Sequence, residues 1–125
     1  MELAQDEGRG NKHVDLAPSI YRQRLVIEGR RELPIGDKDI QEYLSQLSDV
    51  CGMTLLIDPV THRSDRFGWA GWVHWETSGA HFYAWESPLV FFSVDIYTCL
   101  AFEPSTAVSF TKSYFDATHI TSKAF

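Results

Sequence analysis

The chain has 125 residues, of which 44% are hydrophobic and 14% aromatic, and its formal net charge is −6. This length and apolar content predict one domain with its own core and exclude a largely disordered chain. The negative charge argues against nucleic-acid binding, and no apolar run is long enough for a membrane span or a signal peptide. Two cysteines, Cys51 and Cys99, are too few for a disulfide framework, so we expect reduced thiols in a cytoplasmic protein.

The first part of the chain predicts a leader, a strand and a helix. Residues 1–19 lack hydrophobic periodicity and are expected to form a flexible leader, which leaves 20–125 as a single domain. A short β-type run covers 25–27, and Asp37 is a plausible N-cap for the helix that follows. One face of that helix would carry Ile40, Tyr43, Leu44, Leu47 and Val50.

The middle of the chain is rich in β-branched and aromatic residues, which favour strands. Four strands are predicted here, over 53–58, 69–76, 80–85 and 90–100. The polar stretch "VTHRSDRFG" (60–68) is predicted to be a connection between the first two. The corner between the second and third is Ser78-Gly79.

The end of the chain predicts a second helix and an edge strand. Pro104 is a favoured first helical residue, and "HITSKAF" (119–125) alternates weakly. The helix would bury Ala107, Val108, Thr111 and Phe115. The order β-α-β-β-β-β-α-β predicts an α+β fold, a two-layer α/β sandwich in which two helices cover one face of a mostly antiparallel sheet.

The tryptophans of this chain cannot all lie under the helices. Strand alternation puts Trp69 and Trp75 on one face of the sheet and Trp72 and His74 on the other. The second face therefore either packs against another subunit or lines a ligand pocket, and both are compatible because pockets often lie at such interfaces.

Four short segments together resemble one known family. They are "GWAG" (68–71), "ETSG" (76–79), "AWE" (84–86) and "SVDIYTC" (93–99). The short bacterial and archaeal S-adenosylmethionine decarboxylases carry a similar pattern, close to GVSG, ESH, HTWPE and AAVDxFTCG. The resemblance covers about residues 22–125 and is most specific in "VDIYTC". It implies the S-adenosylmethionine decarboxylase fold, a supply of decarboxylated S-adenosylmethionine for spermidine synthesis, and a homodimer with its active site near the subunit interface.

The resemblance also implies a role for individual residues. The chain would cut itself before Ser78, which becomes a pyruvoyl group, and this cofactor takes up the electrons released with CO2, so no PLP is needed. No metal is expected either. Cys99 would return a proton to the substrate. Trp85 and Phe67 would stack on adenine, and Glu86 would accept hydrogen bonds from the ribose hydroxyls.

Several positions differ from the family pattern. Ala70 and Tyr83 stand where the family has the serine and histidine that assist self-cleavage, and Gly79 replaces the histidine after the cleavage serine. Because elimination needs a base, His81 is the predicted replacement, since it lies on the same strand face as Tyr83. His74 is a second candidate.

Simpler interpretations apply to some of these residues. Ser78-Gly79 alone is typical of a hairpin turn, and an isolated cysteine such as Cys99 is more often a small hydrophobic residue than a reactive thiol. Asp95 lies within an apolar strand, where it is expected to form a salt bridge with an arginine of "YRQR" (21–24). The spacing of the histidines and Cys99 does not favour a metal site.

Two alternative functions follow from the missing processing residues. The first is an unprocessed relative that binds S-adenosylmethionine and acts as a lyase, releasing methylthioadenosine and a homoserine product because the sulfonium is a good leaving centre. The second is a non-catalytic subunit that binds the nucleoside or pairs with an active homologue.

Overall fold

Six strands and two helices make up the computed structural model, which describes residues 13–125. Residues 1–12 of the predicted leader lie outside the described residues. The elements are β1 (Gln23–Arg30), α1 (Asp37–Val50), β2 (Val60–Ser64), β3 (Gly68–Trp75), β4 (Ser78–Trp85), β5 (Phe91–Thr98), α2 (Pro104–Phe115) and β6 (His119–Ala124). Within this part of the chain, neither helix is long and apolar enough to cross a membrane.

All strands join one antiparallel sheet in the order β2-β3-β4-β5-β1-β6. Alternate residues of each central strand are buried against the helices, because side chains of a strand point to opposite faces. The largest buried side chains are Trp75, Tyr43, Phe82, Phe92 and Phe115. The predicted two-layer α+β sandwich is thus confirmed, with both helices contributing to a single core.

The predicted strand over 53–58 is wrong. This segment makes only an isolated bridge between Leu55 and Trp75, and the strand that follows α1 is β2, in the stretch expected to be a polar connection. The apolar residues of this segment are solvent-exposed and do not form the buried face of a strand: Leu55, Leu56 and Ile57. The β-branched residues of β2 pair with β3 instead, which makes β2 an edge of the sheet.

The helix boundaries follow local capping. Helix α1 begins at the predicted Asp37, but its N-cap is Gly36, whose N–H donates to the carboxylate of Asp39 at 3.3 Å. Helix α2 begins at Pro104, as predicted, and the Glu103 side chain accepts the N–H of Ser105. Of the four residues expected to be buried on α2, Val108 is only partly covered.

A buried hydrogen bond joins α1 to the end of β3. The indole N–H of Trp75 donates to Ser48 Oγ at 2.7 Å, and Ser48 Oγ donates in turn to the carbonyl of Leu44 at 2.8 Å. Both Trp75 and Ser48 are fully buried. Because Trp75 directly precedes the β3–β4 turn, this bond fixes the hairpin against the helix layer.

Replacing Ser48 with alanine should lower the free energy of unfolding by about 1–3 kcal/mol, since the Trp75 N–H then lacks a partner in the core. Urea denaturation measures the change. The control is Ser45→Ala on the same helix, which is only half-buried and should cost less than about 0.5 kcal/mol. Equal effects of the two substitutions would contradict the importance of this hydrogen bond.

Candidate active site on the open face of the sheet

The face of the sheet that the helices leave uncovered, here called the open face, carries polar and aromatic side chains in cross-strand rows. One row runs from Trp72 on β3 through His81 on β4 and Asp95 on β5. A neighbouring row runs from His62 through Ala70 and Tyr83 to Ser93. Tyr83 is 42% exposed, which shows that this face lacks a covering layer within residues 13–125.

A cavity of about 720 Å³ lies on the open face beside the β3–β4 turn. We call it the serine cavity; among its lining residues are Ser78, His74, His81, Asp95, Arg24 and Tyr97. Ser78, His81 and the second candidate base, His74, all border this cavity. In the alternation of β4, however, Ser78 falls with the core-facing residues, opposite the buried Thr98, whereas His81 falls on the open face. His74 and Gly79 are direct cross-strand partners, so His74 lies one position from Ser78.

The backbone at Ser78 is unusual. Ser78 has φ = +128°, a conformation that residues with a side chain rarely adopt, at the first position of β4 after the turn. The preceding carbonyl, that of Thr77, accepts the N–H of Cys99 at 2.9 Å. The Thr77–Ser78 peptide is therefore followed by a strained backbone conformation at Ser78, and its carbonyl oxygen accepts a hydrogen bond from Cys99.

Hydroxyl groups hold the same peptide from the core side. Thr98 Oγ1 donates to Thr77 Oγ1 at 3.3 Å, and Thr77 Oγ1 donates to the sulfur of Met53 at 3.1 Å. Thr98 is fully buried and is the cross-strand partner of Ser78. This pairing places Cys99, the next residue along the chain, beside the Thr77–Ser78 bond.

The two cysteines lie in opposite environments. Cys99 is exposed just beyond the end of β5, and it lines neither the serine cavity nor the second cavity described below. Cys51 is buried at the end of α1, and this burial raises the pKa of its thiol to about 12. Of the two thiols, that of Cys99 is the one accessible to a reagent.

Thiol labelling should distinguish the two residues. At pH 8 the native protein should react with one equivalent of a thiol reagent, at Cys99, and with a second only after unfolding, because Cys51 stays protonated and buried below its raised pKa. Cys99→Ser should remove the fast reaction. Fast labelling of native Cys99→Ser protein would contradict this assignment.

The backbone geometry of the turn requires a residue without a Cβ at position 79, which is Gly79. A Cβ at this position would lie 2.3 Å from the carbonyl oxygen of Val73, a distance that no side chain tolerates. With this backbone, the histidine expected at position 79 from the family pattern cannot be present. The departure at Gly79 is therefore coupled to the path of the chain around Ser78.

The predicted salt bridge of Asp95 is confirmed. Arg24 donates from Nε to Oδ1 at 3.0 Å and from Nη2 to Oδ2 at 2.8 Å, in a two-pronged pair across β1 and β5. This hydrogen bonding raises the pKa of Arg24 above its ordinary value. Asp95 is also the cross-strand partner of His81.

A second cavity, of about 540 Å³, lies at the opposite end of β4 and is called here the aromatic cavity. Its lining includes Phe67, Trp69, Tyr83, Trp85, Ala70 and His62. The structure thus brings Phe67 and Trp85 together. Glu86 lies beside them, with its carboxylate 3.7 Å from Arg63. From the sequence, His62 is considered only as one of the histidines of an unfavoured metal site, and the β-branched Val60 and Thr61 before it are the signal that it lies on a strand.

The predicted cleavage serine and the predicted adenine-stacking tryptophan lie at opposite ends of β4, while the two cavities border each other at its middle, where the rings of His81 and Tyr83 are 5.9 Å apart. Strand β4 has eight residues and runs from Ser78 to Trp85. At about 3.3 Å per residue, its ends lie roughly 23 Å apart. The structure therefore separates the predicted cleavage serine from the predicted adenine-stacking residues. In residues 13–125 there is no cluster of three or more His, Cys, Asp or Glu that could hold a metal ion.

Comparisons with known proteins agree with this fold. The family model described as S-adenosylmethionine decarboxylase matches residues 34–125, and the chain belongs to that family. The crystal structure of the adenosylmethionine decarboxylase from Aquifex aeolicus VF5 is similar, with a TM-score of 0.69 and 17% sequence identity over 85% of this chain and 89% of that chain. Family and fold together support an S-adenosylmethionine decarboxylase-like function.

Proposed function

We propose that the protein is an S-adenosylmethionine decarboxylase that matures by self-cleavage before Ser78 and supplies spermidine synthesis. The observation that carries this proposal is the Thr77–Ser78 peptide. Ser78 lines a cavity with φ = +128°, and the carbonyl before it accepts the N–H of Cys99. Strain of this kind is concentrated at functional sites and is rare in ordinary turns.

The arrangement suits an acyl shift from nitrogen to oxygen. The Ser78 hydroxyl attacks the Thr77 carbonyl carbon, and the negative charge that develops on the carbonyl oxygen is stabilised by the Cys99 N–H, 2.9 Å away. The C–N bond then breaks and leaves an ester. Elimination removes the Cα proton of Ser78 and breaks the ester C–O bond, which releases the Thr77 carboxylate and leaves dehydroalanine. Its imine tautomer is hydrolysed by water, which releases the former Ser78 nitrogen as ammonia and leaves the pyruvoyl ketone.

A base for the elimination is available in the same cavity. His81 and His74 are the two imidazoles that line it within the described chain, and we assign the role to His81, with His74 as second candidate. These residues fit formation of a pyruvoyl group from Ser78. When formed, that group would accept the electrons released as CO2 leaves. We assign the return of a proton to the substrate to the exposed thiol of Cys99, which follows the strand partner of Ser78 along the chain but lies outside the lining of the serine cavity.

The distance between Ser78 and Trp85, at the two ends of β4, supports a site shared by two chains. An S-adenosylmethionine whose base stacks on Trp85, with the ribose at Glu86, does not reach Ser78 of the same chain across roughly 23 Å. If two open faces pack against each other in opposite directions, the aromatic cavity of one chain meets the serine cavity of its partner. We therefore propose a homodimer in which each active site takes residues from both chains.

Intact mass under denaturing conditions tests the cleavage. The wild-type protein should give two fragments, residues 1–77 and 78–125, with the second blocked at its N-terminus. Ser78→Ala should remain one chain, because it lacks the attacking hydroxyl. A wild-type protein that stays entirely intact would rule out the pyruvoyl mechanism.

Mixed dimers test the shared site. Ser78→Ala and Trp85→Ala homodimers should each release little CO2 from S-adenosylmethionine, whereas co-expression of the two chains should restore activity. Restoration is expected because one of the two sites in a mixed dimer combines an intact Ser78 with an intact Trp85. Activity that stays at the level of the single variants would show that each chain forms its own site.

A second candidate function has support from Ala70 and Tyr83. These two residues are cross-strand partners on the open face, and they stand where the family resemblance implies a processing serine and histidine. An uncleaved protein of this kind would hold the substrate in a preorganised cavity and promote loss of the sulfonium leaving group. Methylthioadenosine produced by intact protein would favour this lyase. Thermal stabilisation by the nucleoside without any product would favour a non-catalytic subunit.

A further inference from the structure

The serine cavity holds charged groups whose roles the proposed reaction leaves unassigned. Arg24 is the single Lys or Arg in its lining, within residues 13–125, and the carboxylates are those of Asp95 and Glu76. A guanidinium in this position is the natural partner of a substrate carboxylate. Whether the Arg24 guanidinium is free therefore determines whether it can bind the substrate carboxylate that leaves as CO2.

The guanidinium plane of Arg24 already contacts Asp95 through one edge and Phe125 through one face. Both Asp95 oxygens accept hydrogen bonds from its Nε and Nη2, at 3.0 and 2.8 Å. The guanidinium also lies over the ring of Phe125, 4.8 Å from the ring centre. The Nε/Nη2 edge, one of the two edges that can bind a carboxylate in a two-pronged pair, is thus occupied by Asp95, which also offsets the positive charge of the guanidinium.

We propose that Asp95 is a positioning residue that keeps Arg24 away from the substrate carboxylate; this inference rests on the proposed function. Decarboxylation turns a carboxylate anion into neutral CO2, so a cation bound to that carboxylate stabilises the starting state more than the transition state. Pairing Arg24 with Asp95 removes this penalty. It also leaves Glu76 to make the cavity net negative, which favours a substrate whose amine and sulfonium are positive.

A pair of ligands isolates this effect without catalysis. S-adenosylmethionine and its decarboxylated product carry the same sulfonium and amine and differ in the carboxylate alone. In a Ser78→Ala background, which is uncleaved, calorimetry gives the ratio of the two dissociation constants. Asp95→Asn should shift this ratio about tenfold in favour of S-adenosylmethionine, because Arg24 is then free to bind the carboxylate. Adding Arg24→Met should cancel the shift.

The ratio separates this role from a structural one. Loss of packing weakens both ligands together and leaves the ratio unchanged. Loss of a negative charge disfavours the more cationic product, and Glu76→Gln in the same cavity measures that component, which the Asp95→Asn shift should exceed. The matched control is Asp39→Asn, which alters the Arg31–Asp39 pair at α1, outside the serine cavity, and should not change the ratio. If Asp95→Asn does not fold, the double variant Arg24→Met/Asp95→Asn, which leaves no unpaired charge, is decisive: the ratio should stay at the parental value, and a selective loss of S-adenosylmethionine binding would overturn the proposal.

The outcomes distinguish the two proposals. An unchanged ratio in Asp95→Asn, with both ligands bound, overturns the role of Asp95 and leaves the proposed function intact. Failure of the parental protein to bind either ligand overturns both. In cleaved protein otherwise wild-type at Ser78, Asp95→Asn should lower KM and kcat together, as expected when a ground-state interaction is added.

Discussion

The pairing of β4 with β5 is the constraint on which the candidate site depends. Its register sets Ser78 opposite Thr98, and so places the N–H of Cys99 on the carbonyl of Thr77. The same register sets His81 opposite Asp95, beside the serine cavity. A shift by one residue would turn every open-face side chain toward the core, and the buried Phe82–Phe92 packing prevents this.

Much of the fold could be predicted from the sequence, because the central strands alternate cleanly between buried and open positions. The Asp95 salt bridge was also predictable, since a carboxylate in an apolar strand needs a partner. The strand after α1 was misplaced because Leu55–Ile57 is apolar but exposed. That error also kept His62 from being placed on a strand beside Ala70, and the distance between Ser78 and Trp85 depends on the length of β4, which motif spacing does not give.

The departures from the family pattern differ in their physical origin. Gly79 is enforced by the carbonyl of Val73, which leaves no room for a Cβ. Ala70 and Tyr83 lie on the open face, where side chains are not locked by the core, and nothing in the structure explains these two residues. The Thr77–Ser78 peptide, whose carbonyl accepts a hydrogen bond, thus borders the same cavity as His74 and His81, whereas positions 70 and 83 of the open face differ from the family pattern.

The order of the strands determines what a break in the β3–β4 turn would do to the molecule. The N-terminal piece would keep β1, which lies between β5 and β6 of the C-terminal piece and pairs with both. The two pieces would also remain hydrogen-bonded to each other through the pairing of β3 with β4. Separating the two pieces would break three strand pairs, β1–β5, β1–β6 and β3–β4. The cleaved protein would therefore unfold as one cooperative unit and would not dissociate on dilution before it is denatured.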